Sequence, residues 1–114
     1  MNVPIAATDS EGVVAWAVAQ QPDLAVIGPD DPLAAGIVDA LGAAGVRAFG
    51  PSAAAARIEA SKAWATGICT AAGVPIPESH VFDDPAAAEA FVRERGAPFV
   101  VKADGLALGK GVIV

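Results

Sequence analysis

The sequence is poor in the residues that most often announce chemistry: one cysteine, one histidine and three lysines among 114 residues. Cys69 stands alone, which excludes an internal disulfide and a cysteine-built metal cluster. It reads as a small buried hydrophobe on a helix. His80 has no second His or Cys at ligand spacing and reads as a structural or surface histidine. No stretch approaches the roughly 20 apolar residues that cross a bilayer. The opening MNVPIAATDSEG lacks a basic segment and a long apolar run, which argues against a secretory signal. A cytoplasmic location is the expectation, with no membrane partner. Basic excess is also missing. The formal net charge is −6, and backbone binding to nucleic acid wants a basic face, so nucleic acid is not expected as a partner.

The charge that is present is uneven. Residues 1–60 carry seven acidic and two basic side chains, whereas residues 61–114 carry six and five. All three lysines, Lys62, Lys102 and Lys110, lie in the second part. Two of them flank a Gly-rich segment, which suggests a local anion site in an acidic protein. Hydrophobic residues make up 54% of the chain, enough for a packed core, although much of that content is alanine.

The pattern along the chain reads as α/β. Glu11–Gln21 predicts a helix, with Val13, Trp16 and Ala17 on one face and Asp9 or Ser10 as cap. Asp23–Gly28 predicts a buried strand of a parallel sheet. Asp31-Pro32 then opens a helix whose stripe is Leu33, Ile37, Val38 and Leu41, with Gly45 suited to its C-terminal cap. Val46–Phe49 is the next strand, which completes a βαβ unit. Ser52–Ala60 and the stretch after Ser61, as far as Ala72, predict two more helices. Val74-Pro-Ile-Pro77 reads as an extended connector and His80–Phe82 as a short strand. A helix opens at Asp84-Pro85, presents Phe91 and Val92, and ends at Gly96. Ala97–Lys102 and Gly111–Val114 predict two strands around the loop Ala103–Lys110. The organisation changes near Ala60, so residues 1–60 are expected to form part of one α/β domain and residues 61–114 to begin another. Both ends read as interrupted: the first βαβ unit lacks an opening strand, and the last strand has one upstream partner.

Gly105-Leu-Ala-Leu-Gly109-Lys110-Gly111 invites comparison with a Walker A loop, which it is not. Three residues separate its glycines where Walker A has four, Gly111 replaces the Ser or Thr after the lysine, and the loop leads into a strand. Glycines in such a hairpin let backbone N–H groups approach an anion without Cβ clashes. The hairpin can then close over a polyphosphate. Lys102 on the entering strand and Lys110 on the loop are candidate phosphate contacts. On spacing alone, a Gly-rich hairpin with solvated lysines fits equally well. Asp104 is read as a turn residue without a catalytic role.

Four blocks together carry a resemblance: Gly28-Pro-Asp-Asp-Pro-Leu33, Phe49-Gly-Pro-Ser52, Glu59-Ala-Ser-Lys62 and Val101-Lys-Ala-Asp-Gly-Leu-Ala-Leu-Gly-Lys-Gly-Val112. Their order and spacing resemble the phosphoribosylamine–glycine ligase family, also called glycinamide ribonucleotide synthetase. The resemblance spans nearly the whole chain. It implies an α/β domain followed by the start of an ATP-grasp domain, and small-molecule substrates: glycine, 5-phosphoribosylamine and ATP. It implies that glycine's carboxylate attacks the γ-phosphate and that the ribosylamine nitrogen then displaces phosphate from the acyl phosphate. Mg²⁺ or Mn²⁺ would neutralise the phosphate charge. By the same resemblance Lys62, Lys102, Gly105, Gly109, Lys110 and Gly111 are ATP-binding positions, and Gly28, Pro29 and Asp30 are substrate-binding.

Two positions depart from the family's pattern. Asp30 stands where Glu is usual, one methylene shorter, and Leu108 stands where Ala is usual. The family's acidic metal ligands have no counterpart among these residues, so the metal ligands are expected downstream and the chain by itself is expected to be inactive. Two other readings stay open on the sequence. One is a different ATP-grasp ligase or carboxylase, of the biotin or aminoimidazole ribonucleotide type. The other is a non-catalytic α/β module or remnant.

Overall fold

A computed structural model describes residues 2–107 and 111–114 of the chain. Helix α1 spans Ser10–Gln20. Asp9 is its cap and accepts a hydrogen bond from the Gly12 N–H at 3.0 Å. The helix stops at Gln21, whose left-handed backbone turns the chain towards Pro22. Strand β1, Ala25–Val26, then runs parallel to β2, Ala48–Phe49. Flanking bonds from Ala25 N–H to Arg47 C=O and from Ile27 N–H to Phe49 C=O extend the pairing. The parallel βαβ reading therefore holds, but the strands are shorter than expected. β1 is also not buried on both faces: Ala25 and Ile27 turn to the core, while Val26 and Phe49 are each 67% exposed.

The helix expected between these strands is two helices. α2 covers Asp30–Ala34 and α3 covers Ile37–Ala43. Gly36 separates them with φ +85°, a left-handed conformation that costs other residues roughly 1–2 kcal/mol. The break lets one apolar stripe serve two places. Ile37 and Leu41 point into the core with Ala17 and Val46, and Val13, Val14 and Trp16 of α1 pack around them. Leu33 is buried on the other side, where α2 meets α4, Ala53–Ala60. α3 ends as the sequence suggests. Gly45 has φ +78°, its N–H donates to Gly42 C=O, and Val46 N–H reaches back to Leu41 C=O. This double bond pattern satisfies carbonyls that a helix end would leave open. Val46 and Leu41 both lie in the core, so the cap and the burial reinforce each other.

α4 is capped twice. The Ser52 hydroxyl accepts from Ala55 N–H at 3.2 Å, and the Asp39 carboxylate of α3 accepts from Ala53 N–H at 2.7 Å. α5 follows immediately, Lys62–Ala71, and Arg57 of α4 lies 3.9 Å over the Trp64 ring at the joint. Cys69 sits on α5 half-buried, not fully buried as expected. α5 ends in the same way as α3, with Gly73 at φ +67° and Val74 N–H bonded to Cys69 C=O.

Residues 74–82 connect α5 to the next helix without regular secondary structure, and no strand forms at His80–Phe82. That segment has side-chain partners instead of a ladder. His80 and Phe82 pack against Phe91 of α6, Pro85–Arg95, with ring centroids 4.5 and 5.2 Å away. Glu78 accepts two hydrogen bonds from Arg95 and pairs with His80 at 3.0 Å. Arg95, with the His80 ring, holds the Glu78 carboxyl below the ordinary glutamate range. Side-chain clustering thus replaces β-pairing for this stretch. The Asp84-Pro85 helix start is as read: Asp84 accepts from Ala86 and Ala87 N–H. The last two strands, β3 (Val101–Lys102) and β4 (Val112–Ile113), form an antiparallel pair, again shorter than the sequence suggests. The molecule is elongated, 58 × 31 × 21 Å. Among the described residues no helix is long and apolar enough to cross a membrane.

Candidate functional site

The site is built where α5 begins. A helix leaves its first N–H groups without intrahelical partners. α5 has no acidic residue in its own first turn, and Ser61 can serve only one of these groups. The Ser61 hydroxyl accepts from Trp64 N–H at 3.1 Å. The Lys62 and Ala63 N–H groups donate to one oxygen of Asp104, at 2.6 and 3.2 Å. The Ser61 hydroxyl donates to the other oxygen at 2.9 Å. Asp104 therefore clasps, from 41 to 43 residues away, a helix start that Ser61 caps only in part. The Ala63 N–H, with the Ser61 hydroxyl next, holds the Asp104 carboxyl below the ordinary aspartate range.

The clasp brings the Gly-rich segment to Lys62. Gly105 follows Asp104, has φ +97°, and accepts a hydrogen bond from Lys62 Nζ at 2.8 Å. Among the described residues no carboxylate pairs with Lys62. An ammonium carries three donors, and the carbonyl bond uses one of them. Its positive charge and two donors are left for an anion.

Lys102 lies two residues before Asp104 on β3, exposed, with its backbone paired to Val112. Gly111 closes the hairpin with φ +77°, and its carbonyl accepts from Ala103 N–H at 2.8 Å. A Cβ at Gly111 would come within 3.2 Å of the Ala103 Cβ, so the turn needs glycine for backbone and space alike. Gly109 and Lys110 lie outside the described residues, as does Leu108.

Gly28, Pro29 and Asp30 form the turn from β1 into α2. Pro29 is the cap and Asp30 the first helical residue. A Cβ at Gly28 would meet nothing within 4 Å, so packing does not require glycine there. Asp30 joins Glu59, Leu33, Ala56 and Leu106 in lining a cleft of about 100 Å³. Leu106 belongs to the Gly-rich segment, so the two candidate regions meet across this cleft. Sequence reasoning grouped Lys62 with Gly105, and the structure joins them; it missed Asp104. The available signal was a Ser-Lys helix start with no acid in its first turn, which calls for an anion from elsewhere.

Residues 1–59 match the family model described as phosphoribosylglycinamide synthetase, N domain. Residues 60–114 match the model for the ATP-grasp (A) domain of the same enzyme. The chain belongs to the phosphoribosylglycinamide synthetase family. It is 51% identical over 113 residues to a phosphoribosylamine–glycine ligase of a Nostoc species, covering 99% of this chain and 27% of that protein. Ligases of the same name from Yersinia pestis and Xylella fastidiosa are each 50% identical over 113 residues and are covered to 26%. The chain thus spans about a quarter of the length of the curated relatives it matches. Membership of this family decides against the biotin-type carboxylase reading of the Gly-rich segment.

ATP-grasp ligases use ATP as substrate and a divalent metal beside it. Among the described residues no three His, Cys, Asp or Glu side chains converge to hold a metal ion. Both Asp104 oxygens are engaged at the start of α5. The described residues thus offer no ready set of ligands for that metal.

Proposed function

We propose that the chain serves the ATP-dependent ligation of glycine to 5-phosphoribosylamine, giving glycinamide ribonucleotide, ADP and phosphate. Residues 61–114 open the ATP-grasp unit and contribute phosphate contacts, while residues 1–60 form part of a substrate-side α/β layer. The reaction belongs in the cytoplasm, with Mg²⁺ or Mn²⁺ held by residues other than these. The observation that carries this reading is Lys62, its ammonium fixed on the Gly105 carbonyl with no carboxylate of the described residues paired to it. A fixed cation at the mouth of a Gly-rich hairpin suits the charge that develops as the γ-phosphoryl group moves to glycine's carboxylate. Lys102 adds positive charge on the entering strand, and Gly105 and Gly111 carry the left-handed turns of the hairpin; Gly109 and Lys110, outside the described residues, are proposed as ATP contacts on the sequence alone. Asp30, which shares a cleft with Leu106, offers a carboxylate to a polar, amine-bearing substrate, and Gly28 and Pro29 form the turn that leads to it.

Lys62→Met in the full product of the gene that carries this sequence is expected to raise the ATP KM by about tenfold or more, as loss of a charge-assisted phosphate contact does. An unchanged ATP KM would remove Lys62 from the site. The 114 residues alone, lacking a metal-holding set among those described, are expected to release no ADP when given ATP, glycine and phosphoribosylamine. Substrate-dependent ADP release from the purified chain would overturn that expectation.

A further inference from the structure

We infer that Asp104 is a positioning residue for the nucleotide, acting through Lys62. The inference rests on Lys62 contacting phosphate, and goes beyond it by assigning Asp104 a role the sequence does not suggest.

Three observations carry it. First, the Asp104 carboxylate holds three donors of the α5 start at once: Ser61 hydroxyl, Lys62 N–H and Ala63 N–H. It therefore fixes the backbone from which the Lys62 side chain springs. Second, Gly105 follows Asp104 directly, so the same anchor fixes the carbonyl that Lys62 Nζ grips at 2.8 Å. Both ends of the lysine, backbone and ammonium, are set by one carboxylate. Third, Asp104 does this without an ion pair to the lysine: its two oxygens face the helix start, and no carboxylate of the described residues pairs with Lys62. A lysine stem is flexible and loses much rotamer freedom when it binds a phosphate. Ordering it beforehand lowers the cost of binding. The clasp also closes off an alternative. With Lys62 and Ala63 N–H directed to Asp104, and Trp64 N–H to Ser61, the α5 N-terminus has no free first-turn donors for a phosphate of its own.

The test is a double-mutant cycle in the full gene product, read as the ATP KM and dissociation constant beside the glycine KM. Asp104→Ala should weaken ATP by about tenfold and change the glycine KM by less than about twofold. In a Lys62→Met background the same change should have almost no further effect on ATP, because residues acting as one unit are not additive. Asp104→Glu keeps the charge but displaces Gly105, and serves if the alanine variant does not fold. It should weaken ATP by about threefold, again only when Lys62 is present. Additive effects of the two sites, or an equal rise in the ATP and glycine KM values, would show Asp104 to be a structural cap only. If Lys62→Met weakens ATP and Asp104→Ala does not, the positioning role falls and the proposed function stands. If Lys62→Met leaves ATP binding untouched, Lys62 leaves the site and the positioning role falls with it.

Discussion

Asp104 shows how one residue escapes a sequence reading. Beside Gly105 it looks like a turn former, and its partners lie 41 to 43 positions upstream. Local spacing cannot encode such a contact; the missing acid in the first turn of α5 was the only sign. Its titration supplies a check. The folded carboxyl is held below the ordinary aspartate range, so the clasp contributes stability fully above that range and loses it as pH falls through the lowered value. Amide signals of Lys62 and Ala63, followed by NMR on acidification, should therefore stay constant through ordinary aspartate titration and shift only below it. A midpoint in the ordinary range would mean that the clasp is not formed. Two core positions make a second residue-scale prediction. Leu41 is fully buried, and Leu41→Ala should cost about 2–5 kcal/mol in denaturant unfolding. At Gly50 a Cβ would lie 2.9 Å from Leu33 Cδ2 and 3.0 Å from Val38 Cγ2. Gly50→Ala should cost about 1–3 kcal/mol through overpacking.

Among the elements, starts and stops were legible and continuity was not. Asp9, Ser52, Ser61 and Asp84 cap the helices they precede, and Gly45, Gly73 and Gly96 follow helix ends, because these residues act over three or four positions. The stripe Leu33, Ile37, Val38, Leu41 gave no sign of a break, since its spacing suits one helix as well as two. The left-handed Gly36 decides it, by sending Leu33 to α4 and Ile37 and Leu41 to α1. Gly36→Ala should cost roughly 1–2 kcal/mol for the backbone alone. If it proves neutral or stabilising, α2 and α3 behave as one helix in solution. Asp39→Ala tests the second cap of α4, with an expected loss of about 0.5–2 kcal/mol. His80–Phe82 misled because alternating apolar residues read alike whether they pair in a sheet or pack on a helix. Phe91 supplied the second choice.

Across the whole molecule, burial is concentrated at one end. The described residues that are buried and apolar run from Ala17 to Ala56, and α5 and α6 contain none. The α/β class could be read from the order of strands and helices. The elongated shape could not, because composition fixes how much apolar surface exists and not where it gathers. Val101, Val112 and Ile113 of the hairpin are about half exposed or more. A two-stranded pair is marginal in water, so stability should fall along the long axis. Hydrogen exchange should be fastest at the amides of β3 and β4 and slowest in α3. Equal protection throughout would show a single cooperative unit. The stack of Arg57 on Trp64 has one further consequence, an optical one. The chain has two tryptophans: Trp16 rests against the core, while Trp64 sits two residues after Lys62, under a guanidinium. Emission thus has two separable sources. Trp16→Phe would leave a single-indole protein whose light reports the α4–α5 joint, in which nucleotide arrival at Lys62 could be watched without an added dye.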